Sequence, residues 1–186
     1  MDGEIGGQTV RVALRDATGP VHERLHRARP FAALARGDLA LGDYRKLLAK
    51  LGAYYFGASS HLPIDGKRLS LLRDDLDALD AAPPCPAPMA RPRSEPARLG
   101  WRYVVDGSIF GGRVIHRQLD YLFGNAERGR RFFRGHAGAA AAWQGLCAEF
   151  ERAGSDPRAR DEMIAGAREA FAAFECLIDE AEPAHA

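Results

Sequence analysis

Two histidines one helical turn apart lie near the start of the chain, in the segment His22-Glu23-Arg24-Leu25-His26. Two imidazoles at this spacing, with a glutamate between them, form the pattern that binds zinc in metalloproteases. The same segment can instead supply a single imidazole, His22, preceded two turns earlier by Arg15. That pair would suit a flat, dianionic metallocofactor. The two chemistries exclude each other, so the rest of the sequence must decide between them.

The zinc interpretation lacks its structural context. A zinc protease requires a third ligand and normally an edge strand that holds the substrate peptide. The sequence shows no convincing strand near His22, and none of the many later acids is specifically placed. Arg24 would also put a cation between the two proposed ligands. We therefore expect no zinc at this site.

A second unusual segment, residues 103–115, contains Gly107, Gly111 and Gly112 within a strongly helical apolar pattern. Each glycine costs up to roughly 1 kcal/mol relative to alanine inside a helix. Gly107 and Gly111 are four residues apart and share a helix face. That bare face could approach a flat, bulky ligand, or it could pack against a neighbouring helix. The spacing alone leaves both possibilities open and slightly favours helix packing.

Helices must position these residues, because apolar side chains recur at spacings of three and four through most of the chain. The pattern predicts an all-α protein of about six or seven helices and a single domain over residues 1–186. Residues 1–8 are predicted to be disordered, and residues 81–97 to form a proline-rich connector. Pro20 is expected to break or kink the first helix, with Thr18 capping a helix that restarts there.

Composition narrows the partners and the compartment. The chain carries 26 basic and 25 acidic residues, a net charge of +1, which favours neither nucleic acid nor a membrane surface. Its three cysteines are far apart and odd in number, so a disulfide framework is not expected. No signal peptide or transmembrane segment is evident. These features predict a cytoplasmic protein.

Taken together, two segments resemble the heme oxygenase family, in particular its bacterial biliverdin-producing branch. Residues 14–25 (LRDATGPVHERL) are similar to the family's proximal helix, whose histidine is the axial ligand of the heme iron. Residues 99–115 (LGWRYVVDGSIFGGRVI) are similar to its glycine-rich distal helix. Residues 43–48 and 170–175 also fit the family's spacing. The resemblance implies an all-α, heme oxygenase-like bundle that holds its ligand between the two helices.

The resemblance also implies a set of site residues. His22 would bind the heme iron, and Glu23 or Glu175 would orient its ring. The catalytic surface above the heme would be formed by Gly107, Ser108, Gly111 and Gly112. The remaining expected heme contacts are Arg15, Arg102, Phe110, Phe171 and Phe174, with the arginines facing the propionates. Each of these arginines could equally be a solvated surface charge, and each phenylalanine an ordinary core residue.

The implied activity is the cleavage of heme, as both substrate and cofactor, to biliverdin, CO and ferrous iron. It requires O2 and an electron donor such as a ferredoxin or a flavoprotein reductase. Animal-type relatives carry an aspartate where this chain has Ser108, so proton delivery must differ. That departure leaves a second function open, a non-catalytic heme-binding or heme-delivery protein. A thiaminase-like hydrolase is a weaker alternative, because Cys147 and Cys176 lack a convincing catalytic arrangement.

Overall fold

The computed structural model describes residues 9–179, which form helices and loops and contain no strand. The predicted all-α class is therefore confirmed for that range, whereas the predicted disorder of residues 1–8 lies outside it. Seven helices have two turns or more, and two are single turns. In chain order they are α1 (Val10–Arg27), α2 (Arg29–Arg36), α3 (Leu41–Ala58), α4 (Gly66–Ala78), α5 (Glu95–Gln118), α6 (Asp120–Phe123), α7 (Arg131–Arg134), α8 (Ala139–Ala153) and α9 (Pro157–Asp179).

Side-chain caps fix where several helices begin. The Thr9 hydroxyl accepts a hydrogen bond from the Val12 amide at 3.3 Å and starts α1. The Ser94 hydroxyl accepts one from the Ala97 amide at 3.2 Å, so α5 begins at Glu95. The predicted connector over residues 81–97 is non-helical up to residue 94, and its last three residues form the first turn of α5.

Helix α1 continues through Pro20 without a break, which contradicts the predicted restart at that residue. Thr18 caps nothing. It is buried, and its hydroxyl donates to the Leu14 carbonyl at 2.7 Å, one helical turn earlier. Packing of α1 against α8 and α9 holds the helix together although proline lacks an amide proton. His22 therefore lies on the same continuous helix as Arg15.

The tightest packing in the fold lies between α5 and α9. A Cβ atom on Gly100 would overlap the Met163 carbonyl oxygen, and one on Gly166 would overlap the Ala97 carbonyl oxygen. Both helices thus lie backbone to backbone, and only glycine fits at the two crossing points. This contact fixes the position of α5 relative to α9.

A buried carboxylate holds the loop between α6 and α7. Asp75 of α4 accepts hydrogen bonds from the Gly129 amide at 3.0 Å and the Phe132 amide at 2.7 Å. The Tyr44 hydroxyl donates to the Gly129 carbonyl at 2.7 Å. These bonds place Phe132 and Phe133 beside the middle of α5.

Among the described residues, no helix is both long and apolar enough to cross a lipid bilayer.

Candidate functional site

A cavity of about 460 Å³ lies among α1, α5 and α9, with further walls from the other helices. Its size falls within the range of small-molecule sites, roughly 300–1,000 Å³. Most of its lining is apolar or aromatic. Seven of the predicted site residues line it, namely His22, Gly107, Ser108, Gly111, Gly112, Phe171 and Phe174. The tertiary structure thus brings together residues that lie up to 152 positions apart in the sequence.

On the α1 wall, His22 presents its imidazole to the cavity. Partial burial lowers the pKa of His22, and the neighbouring His26 lowers this pKa further. The His22 ring is therefore neutral at pH 7, the form that binds a metal ion. The His26 ring meets it edge-on at 4.5 Å between centroids, and the Phe171 ring does so at 6.1 Å. Both imidazoles line the same cavity, one helical turn apart.

The two acids expected to orient the His22 ring bind arginines instead. Glu175 accepts two hydrogen bonds from Arg24, at 2.7 and 2.9 Å. Glu23 pairs with Arg27 at 3.8 Å. Within residues 9–179, the His22 ring makes no hydrogen bond. In this structure neither carboxylate contacts the His22 ring, because arginines one helical turn away or on a facing helix bind them, and the role of Glu23 or Glu175 stays a prediction.

On the α5 wall, the three glycines have different surroundings. A Cβ on Gly107 would lie 2.9 Å from the Trp143 ring, and one on Gly112 would lie 2.9 Å from the Phe133 carbonyl oxygen. A Cβ on Gly111 would have no neighbour within 4 Å. The packing interpretation is therefore confirmed for Gly107 and Gly112, whereas the approach of a flat ligand to Gly111 stays a prediction. Gly107 and Gly112 allow close packing, and Gly111 leaves the cavity wall open.

Ser108 belongs to a hydrogen-bonded cluster that the sequence analysis missed. Its hydroxyl lies 2.6 Å from the Tyr55 hydroxyl, accepts from Arg68 Nη2 at 2.8 Å and donates to the Val105 carbonyl at 2.7 Å. Tyr55 and Arg68 also line the cavity. One signal was present, since Arg68 falls on the buried stripe of α4 with Leu72. A cation at such a position is unusual.

Three predicted heme contacts do not line the cavity, and their contact with heme stays a prediction. Arg15 shares a helix face with His22 but lies about 10 Å further along the axis, where it is exposed and pairs with Asp16. Arg102 binds Asp106 at 3.2 Å and Glu149 at 3.3 Å. Their charges are compensated outside the cavity.

Phe110 is the third of these residues. It is 38% exposed and meets the Trp143 ring edge-on at 5.6 Å. It does not line the cavity itself, although Trp143, the ring that it contacts, does. Phe171 and Phe174 line the cavity instead, from α9. Their contact with a ligand stays a prediction.

The cavity offers one helix-borne pair of imidazoles and no complete set of metal ligands. Among the described residues, no third histidine, cysteine or acid joins His22 and His26 in a cluster suited to a metal ion. An iron ion that already carries four ring nitrogens needs only one imidazole from the protein. The donors present fit that arrangement.

Three proteins that the chain resembles in sequence or in fold are all heme oxygenases. No family model matches the chain. A heme oxygenase from Xanthomonas campestris pv. campestris (strain 8004) is 38% identical over 122 residues, which are 63% of this chain and 71% of that protein.

Two solved structures have a similar fold. One is a heme oxygenase from Neisseria meningitidis with NO and CO bound, with a TM-score of 0.69 and 22% identity over 92% of this chain and 91% of that one. The other is a heme oxygenase from Leptospira interrogans, with a TM-score of 0.70 and 14% identity over 94% of this chain and 100% of that one.

Proposed function

The chain belongs to the heme oxygenase family, and on that premise we propose that it cleaves heme to biliverdin, CO and ferrous iron. The observation that carries the proposal is the pairing of His22 with Gly111 on different walls of one apolar cavity. The imidazole would hold the iron from one side. The bare helix face would let α5 lie close to the ring on the other side.

Three features of the cavity lining support heme as its ligand. His22 is neutral because burial and His26 lower its pKa, so its ring can bind iron without first losing a proton. Phe171 and Phe174 provide apolar contacts for the macrocycle from α9. The open space at Gly111 would accept the ring where any side chain would meet it. When bound, the heme supplies the iron chemistry and is itself the substrate.

The protein's own contribution is binding, orientation and the placement of protons. His22 would hold the iron, and the apolar lining would exclude bulk water from the heme. The hydroxyls of Ser108 on α5 and Tyr55 on α3, 2.6 Å apart, would hold and transfer protons. Ser108 stands at the position where animal-type relatives carry an aspartate. A hydroxyl pair can pass a proton without carrying a charge of its own.

The reaction needs O2 and an external electron donor, for which we propose a ferredoxin or a flavoprotein reductase. We also place the protein in the cytoplasm, where reduced donors of this kind are available. The three cysteines, Cys85, Cys147 and Cys176, form no disulfide, in keeping with a reducing compartment. Nucleic acid and membranes are not expected as partners, since the net charge is only +1.

The proposal is tested by removing each of the two cavity histidines in turn. The apo-protein is titrated with hemin while the Soret band is recorded, and ascorbate or reduced ferredoxin is then added under air. His22→Ala is expected to lose the spectrum of a histidine-bound heme and to form biliverdin only at background level. His26→Ala is the matched control, because His26 lines the same cavity one helical turn away. This variant is expected to keep the spectrum of a histidine-bound heme and to form biliverdin.

Each departure from this pattern has a clear meaning. Loss of the spectrum in His26→Ala alone would move the iron ligand to His26. A stable heme complex that never forms biliverdin would indicate a heme-binding or heme-delivery protein instead of an enzyme. Absence of any Soret shift in the wild-type protein would reject both functions.

A further inference from the structure

His26 is a second imidazole in the candidate heme cavity, and the proposed reaction leaves it without a role. A heme iron held from one side by the protein takes a single axial imidazole there, which His22 would supply. His26 lies one helical turn further along α1 and lines the same cavity. The centres of the two rings are 4.5 Å apart. Both imidazoles therefore share one helix face and one cavity.

The rest of the described chain leaves the ring nitrogens of both histidines open. Within residues 9–179, neither the His22 ring nor the His26 ring takes part in a hydrogen bond or an ion pair, and both residues are exposed. The other three described histidines each bond to a carbonyl or carboxylate oxygen. They are His61, which bonds to the Met89 carbonyl, His116, which bonds to Glu127, and His136, which bonds to the Ala137 carbonyl and to Asp65. The cavity pair is thus available to a ligand.

The spacing of the two imidazoles suits a metal ion. Side chains four residues apart on a helix are neighbours, with their Cβ atoms about 5–6 Å apart. Two histidines at this spacing bind one ion on the helix of a zinc protease. Imidazole is a good ligand for iron, nickel and copper as well as for zinc. His22 and His26 can therefore chelate one divalent ion, with water in its remaining positions.

The charges beside this pair do not oppose a cation. Arg24 lies between the two histidines in the sequence, but it binds Glu175 through two hydrogen bonds, at 2.7 and 2.9 Å, and does not line the cavity. Arg27 lies 3.8 Å from Glu23. Both arginines thus face a carboxylate. The objection that the position of Arg24 raised against a metal ion does not apply in the folded protein.

The proposed reaction itself supplies a divalent ion beside these rings. Opening of the macrocycle removes the ring nitrogens that hold the iron, and His22 alone is then its one protein ligand. We propose that His22 and His26 together form a transient site that holds the ferrous iron released by heme cleavage before it leaves the cavity. This inference rests on the proposed function. It gives His26 a role that begins only after the heme is cut.

The site is built to hold an ion briefly. Structural zinc sites use four protein ligands, and catalytic zinc sites use three. Among residues 9–179, no further histidine, cysteine or acid joins the pair in a metal-binding cluster. Both rings are exposed, so water and chelators can reach the ion. While heme is bound, its iron occupies His22, and the two-histidine site is closed to other ions.

The first test is a titration of the apo-protein, carrying no histidine tag, with Ni²⁺ as an air-stable substitute for ferrous iron. Calorimetry is expected to show one tight site per chain. His22→Ala and His26→Ala should each lower the Ni²⁺ affinity at least about tenfold, because each removes one of two ligands. Hemin should displace the ion. Mg²⁺, which prefers oxygen ligands, should not compete.

His61→Ala is the matched control for the titration. It removes an imidazole that lies outside the cavity lining and bonds to the Met89 carbonyl, and it should leave the Ni²⁺ affinity unchanged. His26→Gln keeps a polar side chain without the metal ligand and should behave as His26→Ala does. Because neither cavity ring is hydrogen-bonded, these variants should keep the circular dichroism spectrum and the Tm of the wild type.

The second test follows the product iron during a single turnover. Biliverdin is monitored by its absorbance while ferrozine in the solution captures the released Fe²⁺. In the wild type, iron capture should lag behind biliverdin formation. In His26→Ala, which keeps His22, the rate of iron release should rise at least about tenfold, because differences in affinity between related complexes lie mostly in the dissociation rate.

Two results would overturn the inference. Equal Ni²⁺ affinities in the wild type and His26→Ala would show that the two imidazoles do not act as one site. Weaker Ni²⁺ binding in His26→Ala with an unchanged rate of iron release would show that the site does not hold the product. Failure of the proposed function is seen separately, as the absence of a Soret shift in the wild-type titration, whereas the Ni²⁺ titration needs no heme.

Discussion

Helix α5 uses glycine for two different purposes in its two halves. In the first half, Gly100 is covered by the backbone of α9, where Met163 and Ala167 leave no room for a Cβ. In the second half, Gly111 faces open cavity and meets nothing within 4 Å. The two residues are identical and lie on one helix. Only what faces them differs.

The difference separates glycines needed for helix packing from a glycine that we propose is needed for a ligand. Each lowers the intrinsic stability of the helix by up to about 1 kcal/mol relative to alanine. At Gly100 the fold compensates for that loss, because the close α5–α9 contact exists without any ligand. At Gly111 no contact in the described structure offsets the loss, and we propose that a bound ligand does. Gly107 and Gly112 lie between these cases, since they line the cavity but also pack closely.

The largest expected effect is on stability in the first half of α5. Gly100→Ala should lower the free energy of unfolding by about 3 kcal/mol, because the added methyl overlaps the Met163 carbonyl and forces the helices apart. For a chain of this length that corresponds to a fall in Tm of roughly 6–12 °C. Urea and thermal denaturation of the apo-protein measure both. If Gly100→Ala were as stable as the wild type, the close contact between α5 and α9 would not require glycine at this position.

An intermediate effect, on ligand binding, is expected in the second half. Gly111→Ala should leave the apo-protein as stable as the wild type or more stable by up to about 1 kcal/mol. Its heme affinity should fall about tenfold, because the methyl occupies the space that the ring needs. Fluorescence quenching or Soret titration measures the affinity.

Gly145→Ala is the matched control for Gly111→Ala. Gly145 lies in α8, is exposed, has no atom within 4 Å of a Cβ and does not line the cavity. The same gain in helix propensity is expected there without any change in heme affinity. Equal heme affinities in the two variants would contradict a ligand at Gly111.

The smallest expected effect concerns Asp106, which lies between the two glycines. Burial raises the pKa of this carboxyl, although Arg102 opposes the shift. A carboxyl whose pKa is higher in the folded state than in the unfolded state binds more protons when folded. Stability therefore falls as pH rises from the unfolded pKa to the raised folded pKa. Denaturation between pH 3.5 and about 7 should show this fall in the wild type and a flatter profile in Asp106→Asn. Asp77→Asn, on the exposed face of α4, is the control, and an equal flattening there would assign the slope to general charge effects.

The sequence predicted what depends on local order. Helical periodicity gave the all-α class, and the motif around His22 placed the imidazole that faces the cavity. Pro20 was misread, because packing of α1 against α8 and α9 outweighs one missing hydrogen bond. Arg15 shares the helix face of His22 but does not line the cavity, because sharing a face does not determine where a cavity ends along the helix axis.

The polar cluster on the α5 wall depends on contacts between distant segments. Tyr55, Arg68 and Ser108 come from three helices and lie up to 53 positions apart. The apolar periodicity of a single helix contains no information about contacts between side chains of different helices. The position of Arg68 on an apolar stripe indicated burial, but which groups it would meet depended on how α4 packs.

By itself, the sequence determined the helices, the imidazole on α1 and the glycines on α5, because hydrophobic period, capping and residue type act over a few neighbouring residues. Only the tertiary structure decided which glycine packs against α9 and which faces the cavity. It also decided that Arg130 pairs with Asp120, whereas Arg68 forms no salt bridge with any other residue of the range 9–179. These outcomes depend on which surfaces of distant helices meet, and a buried charge or a bare helix face has no definite role until its neighbours are in place.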